Sequence, residues 1–307
     1  MFCNADSLIS DLPLSWTRSA KHSLQKKATA FTTSKIHWIS LAHIPENKDF
    51  NDIIAQLHAG YPQGLLLRGC SAAIAHELAK KGFEIIPIGQ EAVIDLKNPL
   101  FKNRKLRQSA RSGNRHNTIR LVELNQQNRK KLNRLKKESR HGAKPQLKNL
   151  FIDTFSSHTH CFIAENDMGW NAAITFSHVN RYKAQAELLL RKSCAAGGTM
   201  EALIERALKH TREKGYHFFS LGEVPFEIKH SRNQPLKSRL ACKIGKAAHF
   251  AYNSATLYKF KDKFSPNWQP LYLCGFPNIS IRTLAEMAIR TNYLKLVIFQ
   301  LFFGEKN

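Results

Sequence analysis

The stretch over residues 185–226 constrains the fold most, because it predicts a strand, a glycine turn, a helix and a second strand. The helix is indicated by apolar residues at the spacing of one buried helical face, namely Met200, Leu203, Ile204, Ala207 and Leu208. Thr199 is a suitable N-cap, and Gly215 ends the helix. AELLLR before it and YHFFSL after it are typical of buried strands. Two strands joined through a helix form a parallel pair, so the stretch predicts an α/β fold.

A candidate site follows from this unit. Ligands of such units bind where the strands end at their carboxyl sides. Here those ends carry Arg191 and the turn at 195–199 on one side, and Gly222, Glu223 and Pro225 on the other. Charged side chains at both strand ends predict a binding or catalytic site between them.

The charge of the chain indicates its partners. It has 47 Lys and Arg residues against 23 Asp and Glu, a formal net charge of +24 in 307 residues. Folding does not require this excess, which predicts an anionic partner such as a nucleic acid or a membrane surface. Six cysteines without a C-x-x-C pair and 14 histidines without metal-ligand spacing predict neither a disulfide framework nor a metal site. The first residues do not resemble a signal peptide, so we expect a cytoplasmic protein.

Residues 102–148 hold more than half of this excess charge. Sixteen Lys and Arg residues face only Glu123 and Glu138 there. One interpretation is a pair of solvated helices with ordinary surface lysines. Like charges at neighbouring helical positions repel, however. A segment with so large an excess of positive charge therefore favours a phosphate-binding surface. Its few aromatic residues favour contact with a nucleic-acid backbone or duplex over base stacking.

The remaining segments extend the α/β pattern. Residues 36–89 alternate strand-like and helix-like runs, which predicts a half-module that packs on a second module. Residues 161–191 predict antiparallel strands that lead into the parallel unit, and thus a mixed sheet. Residues 1–35 are polar and predict little regular structure, whereas a helix is expected from His249 to Tyr258.

Two C-terminal stretches allow more than one interpretation. In residues 258–264, Lys259, Lys261 and Lys263 alternate with other residues, which fits either an edge strand protected by lysines or a phosphate-binding segment. Residues 293–303 are apolar in nine of eleven positions but too short to span a bilayer. They predict a helix in the membrane interface, a helix docked on the core or a dimer contact.

Three separated motifs resemble one family. The first is the stretch over residues 185–226, with its leucine-Arg strand, glycine turn, helix and LG-x-x-P run. The second is IGQEAVIDL, followed by the basic KNRKLRQSARSGNR. The third is YKFKDKFSPNWQPLYL. In the same order, these stretches are similar to the C-terminal catalytic domain of bacterial phosphatidylglycerol lysyltransferases, the lysylphosphatidylglycerol synthetases. The likeness covers roughly residues 85–275, without the multi-spanning membrane part of the family.

The resemblance implies an α/β (α+β) fold of tandem acyltransferase-like (GNAT-like) modules with mixed central sheets. The implied organisation is an N-terminal half-module over 1–100, a basic helical connector over 101–149 and a catalytic module over 150–307 that ends in an amphipathic helix. It also implies transfer of an amino acid, lysine or alanine, from aminoacyl-tRNA to a phosphatidylglycerol hydroxyl. No cofactor is expected, and the protein would lie at the inner face of the cell membrane on its anionic phospholipids.

The resemblance also suggests roles for individual residues. Glu187 or Glu223 would bind the α-ammonium of the aminoacyl group, and Arg191 would hold a carboxylate or contact the terminal adenosine. The phosphates of the tRNA are expected on two groups of cations, Arg104, Lys105, Arg107, Arg111 and Arg115 in the basic segment and Lys259, Lys261 and Lys263 near the C-terminus.

Three alternatives stay open. Glu187 and Arg191 also fit a surface ion pair on an outer strand. The fold also suits an acetyl-CoA-dependent N-acetyltransferase, although the first glycine of the pyrophosphate-binding turn is missing after Arg191. A basic RNA- or membrane-binding protein without catalysis is the third.

Overall fold

The computed structural model describes residues 11–20, 23–153, 159–228 and 253–303, and places eleven strands and eight helices in them. The strands are β1 (Trp16–Ser19), β2 (Gln25–Ala30), β3 (His37–Pro45), β4 (Leu65–Cys70), β5 (Glu84–Asp95), β6 (Thr118–Val122), β7 (Thr159–Asn166), β8 (Gly169–His178), β9 (Lys183–Arg191), β10 (Phe218–Pro225) and β11 (Asn267–Phe276). The helices are α1 (Phe50–Gly60), α2 (Ala72–Lys80), α3 (Arg104–His116), α4 (Gln126–Glu138), α5 (Thr199–Glu213), α6 (Ser254–Asp262), α7 (Ile281–Arg290) and α8 (Tyr293–Phe303).

All eleven strands belong to one mixed sheet. Its order is β1-β3-β4-β11-β5-β10-β9-β8-β7-β6, with β2 paired to β3. β11 comes from the C-terminal part of the chain yet lies between β4 and β5, antiparallel to both. Strands from all three predicted domains therefore share a sheet, and the domain boundaries stay a prediction.

The predicted strand-helix-strand unit is confirmed. β9 and β10 are parallel neighbours, and α5 connects them. The N-cap is Gly198 in the left-handed region, one residue before the predicted Thr199. β7, β8 and β9 are antiparallel, which confirms the mixed acyltransferase-like sheet. β10 continues to Pro225, so Gly222 and Glu223 lie within the strand.

Helices pack on both faces of this sheet, because side chains alternate along its strands. Phe162 and Ala164 of β7 face the core formed with α3 and α5, whereas Cys161 and Ile163 face a second core under Leu132 and Leu135 of α4. The leucines of the basic segment thus point inward. Its charges lie on the outer surfaces of α3 and α4. In the sequence, β6 connects these two helices.

Two other segments differ from the prediction. The N-terminal segment predicted to have little regular structure contains β1 and β2, and the side chain of Trp16 is fully buried. The segment predicted as a helix from His249 begins outside the described residues. From Ser254 it is the helix α6, which continues to Asp262, so the alternative of an edge strand at 258–264 is wrong.

The apolar C-terminal segment forms α8, preceded by α7. Within the parts of the chain described here, no helix has both the length and the apolar character needed to cross a bilayer.

Candidate active site

The strands β9 and β10 separate towards their carboxyl ends. Their last shared register pair is Ser220 with Gln185. Just beyond it, each strand carries a β-bulge, at Leu221 and Gly222 in β10 and at Glu187 in β9. Bulges bend a strand and often occur beside active sites. The two bulges open the sheet at the position where the sequence predicts a site.

The side chain of Lys261 reaches this opening from α6. Its Nζ donates a hydrogen bond to the carbonyl oxygen of Glu223 at 2.8 Å. A Cβ placed on Gly222, whose φ is +80°, would lie 3.7 Å from that Nζ and 3.8 Å from the carbonyl oxygen of Ala186 in β9. Lys261 is only 4% exposed. An amine therefore lies beside both strands at the point where they separate.

Burial lowers the pKa of Lys261 to about 7, although Glu223 and Glu91 act in the opposite direction. Within the described parts of the chain, the amine binds a carbonyl and no carboxylate, so its charge is poorly compensated. Near neutral pH a substantial fraction of this lysine is uncharged. An uncharged amine can accept a proton, which an ordinary surface lysine with a pKa of 10.5 does not do at that pH.

Other charged side chains around the opening are paired. Arg68 of β4 contacts Glu223 with 2.6 Å between Nη2 and Oε2, and Lys183 contacts Glu91 with 2.8 Å between Nζ and Oε1. Burial acts to lower the pKa of Lys183, but the carboxylates of Glu91 and Asp11 outweigh it and raise that pKa. Lys183 therefore stays a cation, in contrast to Lys261.

Glu223 keeps one oxygen available. Its Oε2 pairs with Arg68, whereas its buried Oε1 has no hydrogen-bond partner among the described residues. A buried acceptor without a donor is costly, since it loses its water without compensation. This oxygen is suited to bind an ammonium group of a ligand.

Glu187 lies in the core beside the opening. Its carboxyl group accepts hydrogen bonds from the hydroxyl of Ser177 at 2.5 Å, the N–H of Ile152 at 2.8 Å and the hydroxyl of Ser15 at 3.4 Å. Burial raises its pKa to about 7 despite these bonds. β9 is an inner strand, and no ion pair joins Glu187 to Arg191 in the described structure, so the surface ion-pair alternative is wrong. The catalytic role of Glu187 stays a prediction.

The buried carboxyl group makes a testable contribution to stability. Its pKa is higher in the folded chain than in the unfolded chain, so the folded state binds more protons between pH 4.5 and 7, and stability falls as pH rises through that window. Glu187→Gln cannot ionise. Its amide oxygen can still accept from the N–H of Ile152 and the hydroxyl of Ser15, while its amide nitrogen donates to the hydroxyl oxygen of Ser177. We expect the substitution to increase the free energy of unfolding by up to about 3 kcal/mol at pH 8 and to change it little at pH 4.

Urea unfolding at the two pH values measures this difference. Glu213→Gln, which removes the same charge from an exposed position of α5, is the control and should show no such gain at pH 8. A Glu187→Gln protein that is less stable than the wild type at pH 8 would contradict the assignment.

Arg191 ends β9 and is half-buried. Its carbonyl oxygen accepts a hydrogen bond from the N–H of Arg140 at 2.8 Å, and the neighbouring Lys192 pairs with Glu138 at 2.7 Å. The end of β9 is thereby tied to the end of α4. The predicted contacts of Arg191 with a substrate stay a prediction.

The cations of α3 form a stripe. Arg104, Arg107, Arg111 and Arg115 fall within less than a quarter of the helix circumference at 100° per residue, and all are exposed. Leu106, Ala110 and Gly113 lie on the opposite, buried side. Among the described residues, no carboxylate pairs with these four arginines. Lys105 is also exposed and lies beside the stripe. The arginines of the stripe are therefore available to bind phosphates.

Close backbone contact holds α3 against the start of α5. A side chain on Gly113 would overlap the carbonyl group of Gly198, and one on Gly198 would overlap the carbonyl group of Ser109. Gly198 also has a φ of +85°, which favours glycine. Asn117 follows α3 and donates to Thr199 Oγ1 at 3.0 Å. These contacts fix the arginine stripe next to the turn that follows β9.

The other predicted cations and a nearby pocket complete the description. Lys259 and Lys263 are exposed at α6, and Lys263 pairs with Glu201 of α5 at 3.3 Å. A pocket of about 360 Å³ lies between β6, β7 and α5, lined by Arg120, Arg206, Lys209 and His210 among others, and shares no residue with the opening. No group of three or more metal-ligating side chains occurs in the described residues.

Sequence reasoning found Glu223 and the basic helix but missed the paired residues Arg68, Glu91 and Lys183. Each stands in a strand pattern as an ordinary polar residue. Lys261 was identified as a phosphate ligand, whereas the structure buries it beside Glu223. Only the apolar neighbours Phe260 and Phe264 of Lys261 hinted at a buried helical face.

Known structures share this fold. An L-PGS structure from Bacillus licheniformis has a TM-score of 0.67 at 18% identity, over 89% of this chain and 86% of that one. A structure from Agrobacterium fabrum, assigned as the C-terminal domain of a lysylphosphatidylglycerol synthetase, has a TM-score of 0.66 at 21% identity, over 92% and 87%. At these identities the likeness defines the fold. No curated protein matches the chain.

The family is shown by the sequence itself. A sequence model of the phosphatidylglycerol lysyltransferase C-terminal domain matches residues 27–275, most of the chain. The protein belongs to this family, as its motifs predict, and the family is one of transferases. The match ends before α7 and α8.

Proposed function

We propose that this protein transfers an aminoacyl group from aminoacyl-tRNA to a hydroxyl group of phosphatidylglycerol. The observation that carries the proposal is Lys261, a buried amine with a pKa of about 7 in the opening between β9 and β10 of a chain from this family. Transfer of an acyl group to a hydroxyl requires a group that accepts the hydroxyl proton, and Lys261 is suited to that role.

The reaction exchanges one ester for another. The lipid hydroxyl oxygen attacks the carbonyl carbon of the aminoacyl ester, and its proton passes to the uncharged Nζ of Lys261. The tetrahedral intermediate then breaks its bond to the ribose oxygen, which takes that proton from the lysine. The products are aminoacyl-phosphatidylglycerol and uncharged tRNA, and the amine returns to its initial state.

The carboxylates supply a place for the amino acid. The Oε1 of Glu223 has no hydrogen-bond partner among the residues that the structure describes, and it would accept a hydrogen bond from the α-ammonium group of the aminoacyl ester, next to Lys261. Glu187, with its raised pKa, would support the same region from β9. Lysine and alanine are the proposed amino acids, and Arg191 would contact the terminal adenosine.

The donor would lie along the basic surface. Arg104, Arg107, Arg111 and Arg115 present a row of exposed guanidinium groups, which match phosphate oxygens. No carboxylate of the described residues pairs with them, although Arg107 also donates to the carbonyl oxygens of Phe101 and Lys102. The exposed Lys259 and Lys263 would add contacts on the α6 side. Binding of charged tRNA and of a membrane lipid places the reaction at the cytoplasmic face of the membrane.

Transfer of radiolabel tests the proposal. The purified protein is mixed with each labelled aminoacyl-tRNA and with phosphatidylglycerol vesicles, and the lipid extract is counted. We expect label in the lipid with one or a few amino acids, and none with vesicles of zwitterionic phosphatidylcholine, which lacks the glycerol hydroxyl groups of the acceptor. Binding of tRNA without label in the lipid would contradict the proposed acceptor.

The pH dependence of transfer gives a second test. Lys261 must be uncharged to accept a proton, so the single-turnover rate should rise from pH 6 to 8. The rate should become constant about one pH unit above the pKa of Lys261. The inflection should be absent in Lys261→Met, whose residual rate then reports other titrating groups such as the substrate ammonium. A wild-type rate that falls over this range would contradict the role of an uncharged lysine.

A further inference from the structure

The helices α7 and α8 form a C-terminal unit outside the family match. α7 packs through Leu284 and Met287 on a small core that includes Trp38 and Phe31. In α8, the buried residue is Leu296. Each helix therefore contacts the protein through one side and presents its other side to solvent.

The solvent side of this unit is apolar. Of the eleven large hydrophobic residues of the described chain that are exposed, seven lie in α7 and α8. In α8, Leu294, Ile298, Leu301 and Phe302 follow one another at the spacing of a single helical face, and Phe302 is 76% exposed. Ile281 at the start of α7 is 65% exposed. Soluble monomers rarely expose such a continuous apolar surface without a partner.

The charges of the unit select the kind of partner. Its only acidic residue is Glu286, and both carboxylate oxygens of Glu286 bind backbone N–H groups of the protein, at Thr33 and Ser34, each at 2.9 Å. The exposed charges are Arg282, Arg290 and Lys295. Among the described residues of the unit, the exposed charges are thus all cationic, in a chain of net charge +24.

We propose that α7 and α8 attach the protein to an anionic lipid surface, with the apolar face of α8 inserted in the interface. An eleven-residue helix is about 16 Å long and does not cross a hydrocarbon core of about 30 Å, so α8 lies along the surface. A second copy is a poorer partner because it would bring the cations of two such units together. The inference goes beyond the proposed reaction, since attachment does not depend on catalysis.

Vesicle flotation tests the attachment. The wild-type protein is expected to float with vesicles of phosphatidylcholine containing phosphatidylglycerol, and equally with phosphatidylserine in its place, because the charge and not the headgroup is recognised. Ile298→Ser, Leu301→Ser and Phe302→Ser together should reduce binding at least about tenfold. Arg282→Gln with Arg290→Gln should reduce it about fivefold per charge on anionic vesicles only. Equal wild-type binding to pure phosphatidylcholine would overturn the role of charge.

A matched control removes exposed apolar side chains elsewhere, with Leu121→Ser, Met168→Ser and Tyr182→Ser. It should float like the wild type, and both triple variants should keep the wild-type melting temperature if folding is intact. An unchanged flotation of the α8 variant overturns the proposal. A wild-type dimer in light scattering that the α8 variant abolishes, with vesicle binding unchanged, assigns the surface to a second copy.

The acceptor used in transfer separates this inference from the proposed function. With a short-chain, water-soluble phosphatidylglycerol, the α8 variant should transfer as fast as the wild type and lose rate only on vesicles. Wild-type protein that binds vesicles but transfers to neither acceptor would refute the reaction and leave the attachment intact.

Discussion

Replacing Lys261 with methionine is expected to reduce single-turnover aminoacyl transfer by about 100-fold or more, the usual contribution of a positioned proton acceptor. Methionine has a similar length and fills the buried space beside Gly222, so the loss would come from the missing amine. The substitution also removes a poorly compensated buried cation, so we expect the free energy of unfolding to be unchanged or higher. Binding of tRNA, measured by filter retention, should be unaffected.

Two further variants separate proton transfer from charge. Lys261→Arg keeps a cation that does not lose its proton in proteins, and should be as inactive as the methionine variant. Lys259→Met removes an exposed lysine from the same helix that is proposed to contact tRNA. It should weaken tRNA binding and keep nearly the wild-type single-turnover rate at saturating tRNA. An arginine variant that retains most of the activity would show that Lys261 acts through its charge.

Removing three charges from the α3 stripe is the second substitution with a large expected effect. Arg104→Gln, Arg111→Gln and Arg115→Gln together should weaken tRNA binding. They should also lower the magnitude of the slope of log K against log salt by about 2 to 3, because binding releases fewer counterions when fewer phosphates are contacted. Between 50 and 200 mM salt, the wild type would then lose about 30-fold more affinity than the variant. These side chains make no ion pairs in the described structure, so folding should be unaffected.

The control for this variant removes the same net charge from elsewhere. Lys35→Gln, Lys81→Gln and Lys97→Gln change exposed residues in the first hundred positions and leave α3 intact. If the stripe binds the tRNA, this protein keeps a salt slope within about one unit of the wild type. Equal loss in the two triple variants would mean that overall charge, and not the stripe, determines binding.

Elements with strong local patterns were predictable from the sequence. The apolar spacing of α5, the leucines before Arg191 and the glycine turn between them identified the strand-helix-strand unit and the edge where the opening lies. The arginines of α3 recur at helical spacing, so the basic helix was equally visible. Such patterns depend on neighbours within a few residues along the chain.

The chemistry inside the opening depends on distant contacts and was not predictable. Lys261 meets Glu223 across 38 positions of sequence, and Glu223 meets Arg68 across many more. The bulges at Glu187 and Gly222 arise from the pairing of strands. Single residues in the sequence do not predict that pairing. The insertion of β11 between β4 and β5 is likewise a property of the whole sheet. The arrangement of the whole sheet therefore determines whether a lysine faces solvent or a buried carbonyl.

The most direct test of the active-site assignment is a crystal structure with an aminoacyl-adenosine analogue in which an amide replaces the ester and cannot be transferred. We expect its aminoacyl group in the opening between β9 and β10, with the α-ammonium group bound to Glu223 and the amide carbonyl carbon within reach of Lys261. An analogue bound in the pocket of Arg206, Lys209 and His210, with the opening empty, would contradict it.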